Sequence, residues 1–241
     1  MAGLRFLMPQ GTTIPALDGY PLGATLFVPA RSPRAVVLLA PATGVPRRLY
    51  DAFGAFLQSE GFAVVTWDWR GIGDSGPASL RGFAATMRGW GERDLGGAIQ
   101  WAAERYDGLP LVAVGHSFGG QALGLAPNAE QLDAIVLVTA QEGYWRLWPS
   151  PRRYLYGALW YAGVPLAVAA LGYFPSRRLG LGEDLPAGVA REWARWCRDP
   201  AYLGTWDGHA RLAVPLLSYC FTDDPLAPVR ASDALLSRYR A

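Results

Sequence analysis

Gly115-His116-Ser117-Phe118-Gly119 has the spacing G-x-S-x-G, which sets one serine between small residues. A serine carried on a sharp strand-to-helix bend can expose its hydroxyl above a sheet and attack a carbonyl, the opening step of acyl transfer. Gly115 and Gly119 are small enough for such a bend, and Gly120 leaves room for close packing behind it. The backbone N–H of Phe118, the residue after the serine, is then one donor for the oxyanion of the reacting carbonyl. A second donor is expected from the loop Pro41-Ala42-Thr43-Gly44, through the amide of either Ala42 or Thr43. His116 should point away from Ser117 on such a turn and is read as scaffold, not as the base.

An acid is expected after a late strand, in the chain order serine before aspartate. Phe221-Thr222-Asp223-Asp224-Pro225-Leu226-Ala227-Pro228 offers two carboxylates there. Asp224 is preferred because a proline follows four residues later, and Asp223 is the fallback. Either one also suits a capping role for a helix beginning near Val229.

These groups must be positioned by a scaffold, and short apolar runs alternate with amphipathic stretches along the chain. That alternation predicts strands connected through helices into a mostly parallel, doubly wound α/β sheet. Strands are expected at 21–28, 35–40, 62–67, 111–114, 134–138 and 214–219. Helices are expected at 49–60, where Leu49, Phe53, Phe56 and Leu57 recur at helical spacing, at 92–105, from about 118, and from about 229. Between Gln141 and Ala213 the alternation gives way to a segment dense in Trp and Tyr, which reads as an inserted helical cap. The expected domains are a core of 1–140 and 214–241 and a cap of 141–213.

The chain resembles the α/β-hydrolases, in the serine aminopeptidase and monoglyceride-lipase-like branch of small hydrolases. Five motifs carry the resemblance: Ala40 to Gly44, Asp68-Trp69-Arg70-Gly71-Ile72-Gly73-Asp74-Ser75, Gly115 to Gly120, Gly182-Glu183-Asp184-Leu185-Pro186, and Asp223-Asp224-Pro225. The resemblance implies a nucleophile at Ser117, an acid at Asp224, and cofactor-free hydrolysis of an ester, thioester or amide with an apolar acyl or aryl group. Asp68 to Ser75 is read as a structural turn.

The pattern breaks at the base. In this fold a histidine follows the acid, yet the only histidines are His116 and His209. His209 precedes the strand 214–219, at the far end of a parallel sheet from the site, and is read as a surface or cap residue. The expectation is a chain that stops before the last strand and closing helix, leaving 214–219 as an apolar edge that invites a dimer. The competing reading is a catalytically impaired or non-catalytic module that binds an apolar ligand or partner.

Composition excludes other classes. With 51% apolar residues, 17% charged and 241 residues, the chain can bury a full core. Its 22 basic residues are all arginine, scattered, and balanced to a net +2, so no nucleic-acid footprint exists. Cys197 and Cys220 have no metal-ligand spacing with the histidines, and the N-terminus lacks a signal-peptide pattern, which points to the cytoplasm. Tyr154 to Ser176 carries no charge and is flanked by Arg152, Arg153, Arg177 and Arg178. Its glycines and Pro165 argue for a lid over a pocket rather than a span, with contact to a membrane surface as the variant of that reading.

Overall fold

The central strands form where apolar runs are continuous, because a strand covered on both faces has no polar side to alternate with. The computed structural model describes residues 8–204 and 206–239. In chain order it has β1 (Gln10–Pro15), β2 (Pro21–Phe27), β3 (Val36–Ala40), α1 (Asp51–Ser59), β4 (Ala63–Trp67), a single turn α2 (Met87–Gly89) and α3 (Gly96–Arg105). β5 (Leu111–His116), α4 (Phe118–Ala122) and β6 (Ala134–Val138) follow. The chain then leaves the sheet for α5 (Arg152–Ala158), α6 (Val164–Leu171), the short pair β7 (Tyr173–Phe174) and β8 (Leu185–Pro186), α7 (Ala187–Arg198) and α8 (Gly208–Arg211). It returns through β9 (Leu216–Tyr219) and α9 (Val229–Leu236).

The sheet order is β1-β2-β4-β3-β5-β6-β9; β2 pairs antiparallel with both β1 and β4, and the other neighbours pair parallel. Alternate residues of the inner strands feed two cores. Leu38, Val65, Ala113 and Ile135 join the larger core with Trp67, Trp69 and Trp90. Val37, Leu39 and Val64 join Phe27 in a smaller core under α1, where Ala55 and Leu57 reach it. Helices thus cover both faces, as the α/β reading expects.

Three elements depart from expectation. Of the four apolar residues that mark α1, Leu49, Phe53 and Phe56 are 66%, 43% and 56% exposed. The helical spacing is real, but the stripe turns outward because Gly54 lies against the Phe27 ring and takes the inward face. The helix expected from Glu92 begins at Met87, capped by the Thr86 hydroxyl, and passes through a π-helical stretch over Trp90–Leu95 before α3. The helix after Ser117 is only five residues long and tightens to a 3-10 turn at Leu123–Leu125, just ahead of Pro127. At the other edge, β9 leaves Leu217 and Tyr219 half exposed on the outermost strand of the described sheet.

Candidate active site

Ser117 sits where β5 ends and α4 begins, with φ 50° and ψ −113°. A non-glycine residue at positive φ is held there only by its surroundings. Its N–H donates to the Val138 carbonyl at 2.9 Å, and its carbonyl accepts from the Gly120 N–H at 3.0 Å. The neighbouring glycines are required by contact: a Cβ on Gly120 would lie 2.5 Å from the Ala140 Cβ, and one on Gly119 would strike the Ala40 carbonyl. Phe118 anchors the bend from behind. Its ring stands edge-on to Trp69 and Trp90, at 5.6 and 5.7 Å between centroids, while those two indoles stack on each other. The Trp69 indole N–H also donates to the Pro41 carbonyl at 3.0 Å, which joins the bend to the loop after β3.

In that loop the two candidate amides differ in their hydrogen bonding. The Ala42 N–H donates to the Tyr50 hydroxyl at 2.9 Å. Burial pushes the Tyr50 pKa up to about 12, so its proton stays on, and the hydroxyl is also hydrogen-bonded with His116 Nδ1, 2.8 Å away. The amides of Thr43 and Phe118 have no hydrogen-bond partner among the described residues. Ala42, Thr43, His116, Ser117, Gln141 and Asp224 all line one cavity of about 410 Å³. Trp148, Tyr156, Trp160, Trp193 and Tyr202, from the stretch between β6 and β9, form its apolar wall.

Asp224 reaches this cavity and Asp223 does not; Asp223 lines a separate outer groove. Asp224 Oδ1 accepts from the N–H groups of Leu226 at 2.7 Å and Ala227 at 3.1 Å, both in its own loop. The capping role at the helix near Val229 does not occur, because Pro228 is the N-cap of α9 and no side chain bonds there. Its Oδ2 makes no hydrogen bond within the described residues.

Neither histidine is hydrogen-bonded to Ser117, whose hydroxyl is on Gln141. His116 Nδ1 is held on the Tyr50 hydroxyl at 2.8 Å. Burial holds its pKa below the ordinary value, partly opposed by the Asp224 charge. His209 is not at the surface as expected but 1% exposed, edge-on to Tyr239 at 5.1 Å. Its Nε2–H donates to the Gln121 carbonyl at 3.0 Å, and Nδ1 is buried without a partner.

The buried His209 carries a stability prediction. Burial lowers its folded pKa to about 4, while the unfolded side chain titrates near 6.5. Between these values the unfolded chain binds the extra proton, so this contribution is present above pH 6.5 and is lost as the pH falls toward 4. The loss amounts to about 3 kcal/mol at 1.36 kcal/mol per unit. A His209→Phe variant should show a visibly shallower decline in Tm from pH 7 to pH 4.5. Parallel curves for the two proteins would refute the assignment.

One residue at the site escaped sequence reasoning. The Ser117 hydroxyl donates to Gln141 Oε1 at 3.4 Å, a long and weak contact. Gln141, three residues past β6, stands where a proton acceptor would be needed, and no motif marks it.

Comparison with known proteins agrees with the architecture. A family model described as serine aminopeptidase, S33, matches residues 31–164. No curated protein sequence matches the chain. Among solved structures, a soluble variant of monoglyceride lipase from Saccharomyces cerevisiae aligns with a TM-score of 0.72 and 14% identity, covering 99% of this chain and 85% of that one. An esterase from Exiguobacterium antarcticum aligns at 0.65 and 16%, covering 95% and 88%. A thermostable carboxyl esterase from Bacillus coagulans aligns at 0.51 and 19%, covering 73% of this chain and 56% of that chain, so the match spans little more than half its length. With over half of its residues matched by the family model and the doubly wound sheet in place, the chain belongs to the serine aminopeptidase S33 family of α/β-hydrolases.

Proposed function

We propose that the chain is a serine hydrolase acting by acyl transfer on esters, thioesters or amides with an apolar acyl or aryl group. Ser117 is the nucleophile, the amides of Phe118 and Thr43 hold the oxyanion, and Asp224 is the acid of the site. Residues 141–213 are a cap over a core formed by 1–140 and 214–241. The observation that carries this reading is a serine strained at the end of a parallel strand, sharing one cavity with the unpartnered amide of Thr43 and a carboxylate, with the unpartnered amide of Phe118 next to it in the chain. Thr43 is favoured over Ala42 because the Ala42 amide is already spent on Tyr50. The Trp- and Tyr-rich wall supports an apolar substrate group.

A fluorophosphonate probe tests it. Without a histidine base the site retains the oxyanion donors and binding, which in serine hydrolases leave roughly 10³–10⁴ over water. Slow, stoichiometric labelling that disappears in Ser117→Ala is expected. A label that survives Ser117→Ala, or none after prolonged incubation, overturns the reading. The engagement of His116 with Tyr50 and of His209 with the Gln121 carbonyl, rather than with Ser117, favours a second reading, an apolar ligand-binding module without turnover. Reversible binding of an apolar ester in the cavity, with no covalent label, would select it.

A further inference from the structure

The stretch from Arg152 to Leu171 is helical throughout its 20 residues, about 30 Å at 1.5 Å per residue. By length and composition it is apolar enough to cross a membrane, yet one side of it is fixed in the protein. Trp160, Val164 and Val168 are buried, and Tyr156, Leu159 and Trp160 line the cavity that holds Ser117. A span would tear these residues from the fold. The opposite side is open: Leu155 is 72% exposed, Leu166 68%, Tyr154 58% and Tyr161 56%. Between them the exposed positions are Ala158, Ala162, Pro165 and Ala169, so the whole outward stripe is apolar.

The charge that frames this stripe is mainly positive. Arg152 and Arg153 stand at its start, and Arg177 and Arg178 follow its end. Alongside it runs a groove of about 640 Å³, lined by Pro165 and Ala169 and by Arg191, Arg195 and Arg198, with Glu192 among them. Arg195 is paired with Glu192 at 2.8 Å and Arg177 with Glu183 at 3.5 Å, while Arg152, Arg178 and Arg191 have no acidic partner among the described residues. The Arg198 guanidinium lies over the Tyr161 ring at 5.4 Å, at the boundary between charge and apolar stripe.

An apolar stripe bordered by guanidinium groups is complementary to an interface with acyl chains below and anionic headgroups above. A second copy of this chain fits poorly, because its own arginines would meet these. We propose that the outward face of residues 152–171, with the arginine-lined groove beside it, docks on an anionic bilayer surface, the helix lying in the interface plane. Docking stands apart from the hydrolase reading. What rests on that reading is the consequence: a helix with one face in lipid and the other in the cavity receives its ester from the membrane side.

Flotation of the full chain with vesicles tests the proposal. Co-flotation is expected with phosphatidylcholine vesicles containing phosphatidylglycerol, with at least tenfold weaker binding to phosphatidylcholine alone and a decrease as salt rises. Leu155→Glu with Leu166→Glu should abolish flotation, and Arg191→Gln should weaken it about fivefold. Because these side chains are exposed, each variant should retain the native melting curve. Ser117→Ala should float like the native chain, so failure of the hydrolase reading leaves this result standing. Equal recovery with both vesicle types, or no recovery with either, overturns the proposal. So does a dimer in light scattering that Leu155→Glu dissociates, since the face would then be a contact between copies.

Discussion

Replacing Arg70 by methionine is expected to lower the free energy of unfolding by about 3–5 kcal/mol, the range for stripping the partner from a buried charge. For a domain of this size that is a drop in Tm of roughly 6–20 °C. The Arg70 side chain is 7% exposed and Asp94 0%. Its Nε donates to Asp94 Oδ1 at 2.6 Å, its Nη1 and Nη2 donate to Asp18 at 2.7 and 2.8 Å, and its guanidinium covers the Tyr20 ring. Burial raises the Asp94 pKa to about 6 against the pull of Arg70, whereas the Arg70 hydrogen bonds hold the more open Asp18 at about 2. Without the cation Asp94 would titrate higher still. A carboxyl whose folded pKa lies above its unfolded value loses stability as pH rises through that range. The penalty of Arg70→Met should therefore be largest above pH 7 and should shrink toward pH 5. Adding Asp94→Leu should recover only part of it, because the Arg70 N–H would lose its 2.9 Å bond to Asp94 Oδ2. Chemical unfolding of the single and double variants at pH 5 and pH 8 checks both points, and a pH-independent penalty would contradict the account.

The same loop shows which features a sequence displays and which it withholds. Asp68 to Ser75 is legible as a tight turn because Gly71 and Gly73 stand one residue apart. The partners that hold it, Asp18, Arg47 and Asp94, lie far away along the chain, and nothing local pairs them with it. The inner strands are legible because burial on both faces leaves unbroken apolar runs such as Val36 to Ala40. Ser117 is legible because its bend is made of neighbours. The choice between Ala42 and Thr43 is not, since it depends on a tyrosine hydroxyl reaching back from Tyr50. Of the two alternatives for His209, surface or cap, its burial excludes the surface, for a related reason. Its burial comes from Tyr239 and from the carbonyl of Gln121, 88 positions away. The outward stripe of α1 marks another boundary, because spacing tells which residues share a face and not which way the face turns.

Gln141 offers the sharpest test of the proposed nucleophile. If Ser117 is the nucleophile and only a proton acceptor is missing, Gln141→His should accelerate ester hydrolysis by about 10²-fold, the lower end of what a positioned general base contributes. Gln141 Oε1 already receives the Ser117 hydroxyl at 3.4 Å, and an imidazole at this position carries a nitrogen at a similar reach from the backbone. The lower end is expected because Gln141 has no bond to Asp224 that would orient the new ring: Asp224 shares the cavity, with Oδ1 committed to the loop amides. The gain should appear as pH rises through about 6.5, where the imidazole loses its proton. It should be absent in Gln141→Asn and should vanish when Ser117→Ala is added. Acceleration that ignores pH, or that persists without the serine, would mean that the histidine acts by itself. A correctly folded Gln141→His protein with unchanged activity would mean that the hydroxyl is not poised for attack, and the ligand-binding reading would replace the hydrolytic one.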